Sequence, residues 1–155
     1  MKHQVVILGS TGSIGNYALQ CIKNKKNYEI ILLTAKKNIN KLLNQSIKYK
    51  AKHAIIEDKK KYIEYKPLFK KNNIKLHLGF NNINSVIKKK VSFCINSISG
   101  IDGLEPSLKM IPLTKKILIS NKESIICAWE IILKEIKRNK TEFIPIDSEH
   151  FSIWK

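Results

Sequence analysis

The sequence predicts an α/β fold, a Rossmann-like doubly wound parallel sheet of about seven strands, on two observations. Short apolar runs alternate along the chain with segments whose apolar residues recur at helical spacing. The first run, Val5-Val6-Ile7-Leu8, leads straight into Gly9-Ser10-Thr11-Gly12-Ser13-Ile14-Gly15 and then into an amphipathic helical pattern, which is the order strand, phosphate-cradling turn, helix. Glycine is needed where the backbone turns at positive φ and where a phosphate must come close to main-chain N–H groups. The spacing is G-x-x-G-x-x-G rather than the commoner G-x-G-x-x-G, so a glycine-rich turn with no ligand stands as the alternative.

The elements follow in order. After the turn, Ile14, Ala18, Cys21 and Ile22 keep helical spacing, and residues 29–34 form a strand apolar enough to be buried on both faces. Ile39, Leu42, Leu43 and Ile47 mark a helix, residues 54–56 a short strand, Tyr62 and Leu68 a weak helix, and residues 74–78 a strand. A helix ending near Lys88, a strand at 91–95, a short helix around Leu108 and a strand at 117–119 continue the alternation. Ile125, Trp129, Ile132, Leu133 and Ile136 lie on a further helix, before a last strand at 143–146. Alternation of this kind implies right-handed crossovers and a single parallel sheet, and no repeat, linker or low-complexity tract interrupts it.

Composition narrows the classes. The formal net charge of +17 is almost all lysine, Arg138 being the only arginine, and it is spread along the chain. Nucleic-acid readers cluster arginine on one face with aromatics between, which the runs Lys59-Lys60-Lys61 and Lys88-Lys89-Lys90 do not do; these read as solvated helix ends, and no nucleic-acid partner is expected. Cys21, Cys94 and Cys127 are odd in number, lack metal spacing and sit in apolar segments, which predicts reduced, buried thiols in a cytoplasmic protein. Neither a targeting peptide nor a membrane span is legible, so no membrane partner is expected.

In doubly wound sheets ligands bind beyond the carboxyl ends of the strands. Ala35-Lys36-Lys37-Asn38, Asn96-Ser97-Ile98-Ser99-Gly100, Asn121-Lys122-Glu123 and Asp147-Ser148-Glu149-His150 all follow strands and should share an edge with the glycine turn. An NAD site carries an acid about 20 residues past the glycines, to accept from the ribose 2′-OH. Lysines hold that place here, and an ammonium attracts a 2′-phosphate that a carboxylate would repel, so the residues favour NADP over NAD, against the alternative of two solvated surface lysines. In an extended segment Asp147 and Glu149 project to one side and can converge on a hard cation such as Mg²⁺ or Mn²⁺. Alternatively Asp147 and Ser148 cap a following helix, and His150 is a third ligand or a packing residue. Lys122 can anchor an anionic substrate, or Asn121 can cap a helix with Glu123 in its first turn.

Together, Gly9-Ser10-Thr11-Gly12-Ser13-Ile14-Gly15, Ile119-Ser120-Asn121-Lys122-Glu123-Ser124 and Ile144-Pro145-Ile146-Asp147-Ser148-Glu149-His150 closely resemble the N-terminal part of the 1-deoxy-D-xylulose 5-phosphate reductoisomerase family, and Gly100-Ile101-Asp102-Gly103-Leu104-Glu105-Pro106-Ser107 is similar to a looser family segment. The resemblance implies an oxidoreductase of non-mevalonate isoprenoid biosynthesis. Such an enzyme rearranges 1-deoxy-D-xylulose 5-phosphate on a divalent metal and reduces the product with NADPH to 2-C-methyl-D-erythritol 4-phosphate. By the same resemblance Thr11, Gly12, Ser13 and Ile14 would hold the NADPH phosphates, Lys37 and Asn38 would lie near the ribose phosphate, and Asn121 and Glu123 would line the cofactor site. Lys122 and Ser148 would contact the phosphosugar, Asp147 would ligate Mg²⁺ or Mn²⁺, and Glu149 would serve metal, substrate and catalysis.

Two departures accompany the match. Lys36 replaces the family's usual glycine, and the chain stops at Lys155, well under half the family's span. Residues 1–146 would then be an NADPH-binding domain and 147–155 the start of a catalytic domain, with the rest of that domain and the C-terminal helical domain absent. A fragment of this kind is expected to be inactive alone, and the family's homodimer contacts would lie in the absent parts. The alternatives are a non-catalytic nucleotide-binding remnant or assembly module, and a different two-domain oxidoreductase with a similar N-terminal fold.

Overall fold

A computed structural model of the protein describes residues 2–146. Among these residues, seven strands form one sheet: β1 (His3–Leu8), β2 (Tyr28–Ala35), β3 (His53–Ile56), β4 (Lys75–Leu78), β5 (Val91–Asn96), β6 (Thr114–Ile119) and β7 (Glu142–Pro145). The strand order is β4-β3-β2-β1-β5-β6-β7, and every neighbouring pair is parallel. Between the strands run α1 (Ser13–Ile22), α2 (Ile39–Lys48), α3 (Lys59–Lys71), α4 (Ile83–Val86), α5 (Leu104–Met110) and α6 (Lys122–Asn139), with 3₁₀ turns at Ile101–Gly103 and Ile111–Leu113. The expected doubly wound sheet is therefore present. Its order reverses at β1, which pairs with β2 on one side and β5 on the other, so the carboxyl end of β1 is the switch point where a crevice opens.

Alternation along β1 builds two cores. Val5 and Ile7 pack with Leu19 of α1, Leu42 of α2 and Phe69 of α3, whereas Val6 and Leu8 pack with Ile83 of α4, Met110 of α5 and Ile132 of α6. The innermost strands are sandwiched between helices, which is why they read as continuous apolar runs. On the α1 side of β5, β6 and β7 the cover thins: Phe93, Ile95, Leu118 and Ile144 are only partly buried, and Lys116 of β6 pairs across the sheet with Glu142 of β7 at 2.7 Å.

Several faces differ from the periodic reading. The buried stripe of α1 is Gly15 and Leu19, with Ala18 and Ile22 half-buried, which leaves Ile14 and Cys21 on the solvent side. In α2, Ile47 is exposed while Gln45 and Ser46 are buried, and in α3 the buried residue is Phe69 rather than Leu68. Helix α6 departs from helical geometry at Ala128 and turns Ser124, Ala128 and Ile132 inward, so Cys127 faces solvent with Ile126 and Ile131. The expectation of three buried thiols is thus corrected: Cys94, at the centre of β5, is buried and its thiol pushed up in pKa by burial, but Cys21 and Cys127 occupy outer helix faces. Among the described residues no helix is long and apolar enough to cross a membrane.

Candidate functional site

The glycine turn is fixed from below and open above. Gly9 adopts φ 72°, its N–H donates to Thr34 Oγ1 at 2.9 Å, and its carbonyl accepts the Gly12 N–H at 3.1 Å. Ser10 points inward and is fully buried; its hydroxyl donates to Gln45 Oε1 at 2.9 Å, and Gln45 Nε2 donates back to the Ser10 carbonyl at 2.9 Å. Gln45 is therefore a buttress from α2 that satisfies the underside of the turn. Thr11 is partly buried, and its carbonyl accepts Lys41 Nζ at 2.8 Å. Gly12, Ser13 and Ile14 are exposed, and Gly12 occupies the N-cap of α1 with no side-chain cap. The first N–H groups of α1 have no intrahelical acceptor and carry the positive end of the helix dipole, the arrangement that receives an anion.

Glycine has distinct reasons at its positions here. A Cβ at Gly15 would lie 2.5 Å from the Gly9 carbonyl oxygen, 2.7 Å from Ser10 Cα and 2.7 Å from Ser97 Oγ, so only glycine lets α1 seat against the turn. A Cβ on Gly12 would meet nothing nearer than 3.4 Å, so the chain itself imposes no such demand there.

On the β5 side the crevice is closed by hydrogen bonds. Ser97 Oγ donates to the Leu8 carbonyl at 2.5 Å and the Gly9 carbonyl at 3.2 Å, clamping the end of β5 to the turn. Buried Asn96 donates through Nδ2 to the Gly103 carbonyl at 2.8 Å and Ser107 Oγ at 2.6 Å, and its Oδ1 accepts the Ile98 N–H at 3.0 Å. Asn121 stands at the N-cap of α6 but does not cap it. Its Nδ2 donates to the carbonyls of Ile98 at 2.5 Å and Gly100 at 3.2 Å, and its Oδ1 is buried with no partner among the described residues. Ile14, Ser99, Gly100, Ser120, Asn121, Lys122 and Glu123 line a cleft of about 230 Å³ here.

On the β2 side Lys36, Lys37 and Asn38 are exposed, and Asn38 caps α2 by accepting the Lys41 N–H at 3.1 Å. Lys36 Nζ lies 2.6 Å from Asp102 Oδ2, joining the end of β2 to the 3₁₀ turn after β5. The Asp102 carboxylate, by hydrogen bond and charge, raises the Lys36 ammonium above its ordinary pKa. A cleft of about 390 Å³ lies beside this bridge, lined by Lys36, Glu57, Phe80, Asn81 and Asp102 among others. Lys61, expected as a solvated helix end, instead reaches from α3 and donates Nζ to the Lys37 carbonyl at 2.6 Å.

The sequence-derived residues Thr11, Gly12, Ser13, Ile14, Lys37, Asn38, Asn121, Lys122 and Glu123 thus sit at one sheet edge around the switch point. Asp147, Ser148, Glu149 and His150 lie outside the described residues. The N–H of Ile146 still donates to the Ile119 carbonyl at 3.1 Å, so the chain leaves β7 beside the end of β6. Among the described residues no group of three or more His, Cys, Asp or Glu side chains is placed to hold a metal. Sequence reasoning missed Gln45, Lys41, Lys61 and the clamp made by Ser97. Gln45 left a trace as a polar residue one turn from Leu42, and Ser97 lies in the segment after β5 that the sequence already placed at this edge.

Comparison with known proteins agrees with this geometry. The family model for 1-deoxy-D-xylulose 5-phosphate reductoisomerase matches residues 5–129. The reductoisomerase of Pelagibacter ubique (strain HTCC1062) is 44% identical over 154 residues, covering 97% of this chain and 40% of that protein. The Zymomonas mobilis reductoisomerase solved in complex with NADPH superposes with a TM-score of 0.88 at 29% identity, covering 97% of this chain and 40% of its own. A reductoisomerase solved with NADPH, fosmidomycin and magnesium gives a TM-score of 0.86 at 28% identity, over 96% of this chain and 37% of its own. The chain spans about 40% of the length of the curated relatives it matches. With the glycine turn, the strand order and the family model in agreement from β1 into α6, the chain belongs to the 1-deoxy-D-xylulose 5-phosphate reductoisomerase family.

Proposed function

We propose that this chain is the NADPH-binding part of a cytoplasmic reductoisomerase that converts 1-deoxy-D-xylulose 5-phosphate to 2-C-methyl-D-erythritol 4-phosphate. Residues 1–146 form the cofactor domain, and residues 147–155 open the catalytic domain. The observation that carries the reading is the cradle itself: a turn closed underneath by Gln45 and Ser97, open at Gly12, and followed by unpaired helical N–H groups. A dinucleotide fits it. Its pyrophosphate is received by Thr11, Gly12, Ser13 and Ile14, and a donor such as a ribose hydroxyl or a carboxamide N–H satisfies the orphaned Asn121 Oδ1 beside Glu123. Lys37 and Asn38 receive the adenosine 2′-phosphate.

Bound NADPH supplies hydride, and bound Mg²⁺ or Mn²⁺ supplies Lewis acidity toward the substrate oxygens. Asp147 and Glu149 are two hard oxygen donors of the kind such a cation takes, Lys122 and Ser148 hold the phosphosugar, and Glu149 serves both metal and substrate. Two carboxylates are an incomplete ligand set, so the 155-residue chain alone should bind metal weakly. It should also turn nothing over, because anchoring the substrate phosphate and excluding water call on parts of the family's span beyond it. The whole enzyme is proposed to act as a homodimer.

The test is calorimetric titration with NADPH and NADH, followed by NADPH oxidation at saturating substrate and Mn²⁺ with an Asp147→Asn control. NADPH should bind about one to two decades more tightly than NADH, the scale of a charged hydrogen bond to phosphate. Equal affinities would overturn the cofactor reading. Metal-dependent turnover lost in Asp147→Asn would show that the short chain is itself a complete enzyme.

A further inference from the structure

The charge placed at the adenosine end of the crevice differs from the charge legible in the sequence. Lys36 and Lys37 stand where an NAD protein carries an acid, yet Lys36 Nζ is held by Asp102 Oδ2 at 2.6 Å in an exposed ion pair that commits its ammonium to a carboxylate. Glu57 and Asp102 line the cleft beside it, so a phosphate dianion placed there would meet two carboxylates. The other side of the same turn is different. Lys61 comes from α3, beyond β3, and puts Nζ 2.6 Å from the Lys37 carbonyl. Asp58, the N-cap of α3, accepts the Lys61 N–H at 3.1 Å and so fixes the backbone from which this side chain reaches. Among the described residues neither Lys37 nor Lys61 has a carboxylate partner. One N–H of the Lys61 ammonium is spent on the carbonyl, and two donors remain.

We propose that Lys61 is a specificity-determining residue of the site for the adenosine 2′-phosphate, acting with Lys37, and that Lys36 is a strap to Asp102 rather than a phosphate ligand. The inference rests on the NADPH reading above and adds to it a residue from an element that reading does not use. The Lys61 ammonium reaches from α3 to the exposed backbone of Lys37, so two lysines from separate elements meet at one turn and can present a dianion with charge that neither element holds alone.

The experiment measures dissociation constants of the protein for NADPH and NADH, and for adenosine 2′,5′-bisphosphate and adenosine 5′-monophosphate. The proteins are the unaltered chain and Lys61→Met, Lys61→Arg and Lys36→Met, the methionines keeping the aliphatic stem while removing charge. Lys61→Met should weaken NADPH and the bisphosphate about tenfold, the scale of one charged phosphate contact, with NADH and the monophosphate within about twofold. Lys61→Arg should restore most of that preference, and Lys36→Met should leave it in place. A Lys61→Met protein that loses NADPH and NADH equally would show that the lysine merely props the Lys37 backbone, and an unchanged NADPH-to-NADH ratio would remove it from the site; either result overturns the proposal. So would collapse of the ratio in Lys36→Met alone. Failure of the unaltered chain to distinguish the bisphosphate from the monophosphate would overturn the NADPH reading first, and the role of Lys61 with it.

Discussion

Replacing Gly15 and Gly12 separately by alanine distinguishes a glycine needed by the fold from one needed by a ligand. At Gly15 the new Cβ would lie 2.5 Å from the Gly9 carbonyl oxygen and 2.7 Å from Ser10 Cα, both backbone atoms, where ordinary contact begins at 3.4 Å. Relief requires α1 to withdraw by on the order of 1 Å, which lifts fully buried Leu19 from the core; overpacking of this kind costs roughly 1–3 kcal/mol. Because the clash is with two backbone atoms, the cost falls in the upper part of that range, about 2–3 kcal/mol; alanine recovers about 1 kcal/mol of helix propensity relative to glycine, so a net loss of about 1–2 kcal/mol is expected. At Gly12 the Cβ meets nothing within 3.4 Å, and the change at this N-cap should cost under about 1 kcal/mol. The methyl would nevertheless add bulk at the N-cap, next to the exposed N–H groups of the first turn, so NADPH binding should fall by about tenfold or more, equivalent to about 1.4 kcal/mol. Urea unfolding followed by circular dichroism, beside NADPH titration of both variants, separates the effects. The reasoning fails if Gly15→Ala is as stable as the parent, or if Gly12→Ala binds NADPH unchanged.

Three further outcomes are expected. Gln45→Leu keeps side-chain volume but removes both hydrogen bonds to Ser10, leaving a buried carbonyl short of a donor; urea unfolding should show a loss of about 1–3 kcal/mol. Asn121→Asp would set a carboxylate oxygen against the Ile98 and Gly100 carbonyls, and a loss of about 2 kcal/mol or more at pH 7, partly recovered on acidification, is the expected unfolding result. His53 Nδ1 and His77 Nε2 are 3.0 Å apart on β3 and β4; burial, reinforced by His77, Lys75 and Lys52, lowers His53 from 6.5 to about 4, and burial with Lys75 lowers His77 below its ordinary value. The unfolded chain takes up protons that these folded imidazoles resist, so their contribution is complete above pH 6.5 and lost as pH falls through that value toward 4. Both rings are half-buried, and solvent screening holds the loss to about 1–2 kcal/mol. His53→Asn should flatten this part of the stability profile, measured by urea unfolding between pH 7 and 4.5, about the range in which a histidine of this kind titrates.

The sequence by itself determined the sheet. Each short apolar run became a strand within two residues of its predicted bounds except β6, which begins three residues earlier, at Thr114. The runs are legible because a strand covered by helices on both faces must be apolar throughout and no other element requires that over so few residues. It also determined the edge on which the glycine turn, Lys36 to Asn38 and Asn121 to Glu123 meet, since parallel strands joined by right-handed crossovers put every following segment at the same end. Helical spacing located α1, α2 and α6 but assigned some of their faces wrongly. Periodicity reports a stripe and not what stands opposite it: Gln45 is buried because Ser10 offers both a hydroxyl and a carbonyl, while Ile47 finds no neighbouring layer and stays in solvent.

What tertiary structure alone decided is where the polar side chains end. Lys36 turns to Asp102, 66 residues away, Lys61 to the carbonyl of Lys37, 24 away, and Ser97 to the carbonyl of Leu8, 89 away. No local rule couples positions so distant in sequence. A lysine side chain has several rotatable bonds and nearly equivalent reach in many directions, so its partner is chosen by whichever carboxylate or carbonyl the assembled fold brings within hydrogen-bonding distance.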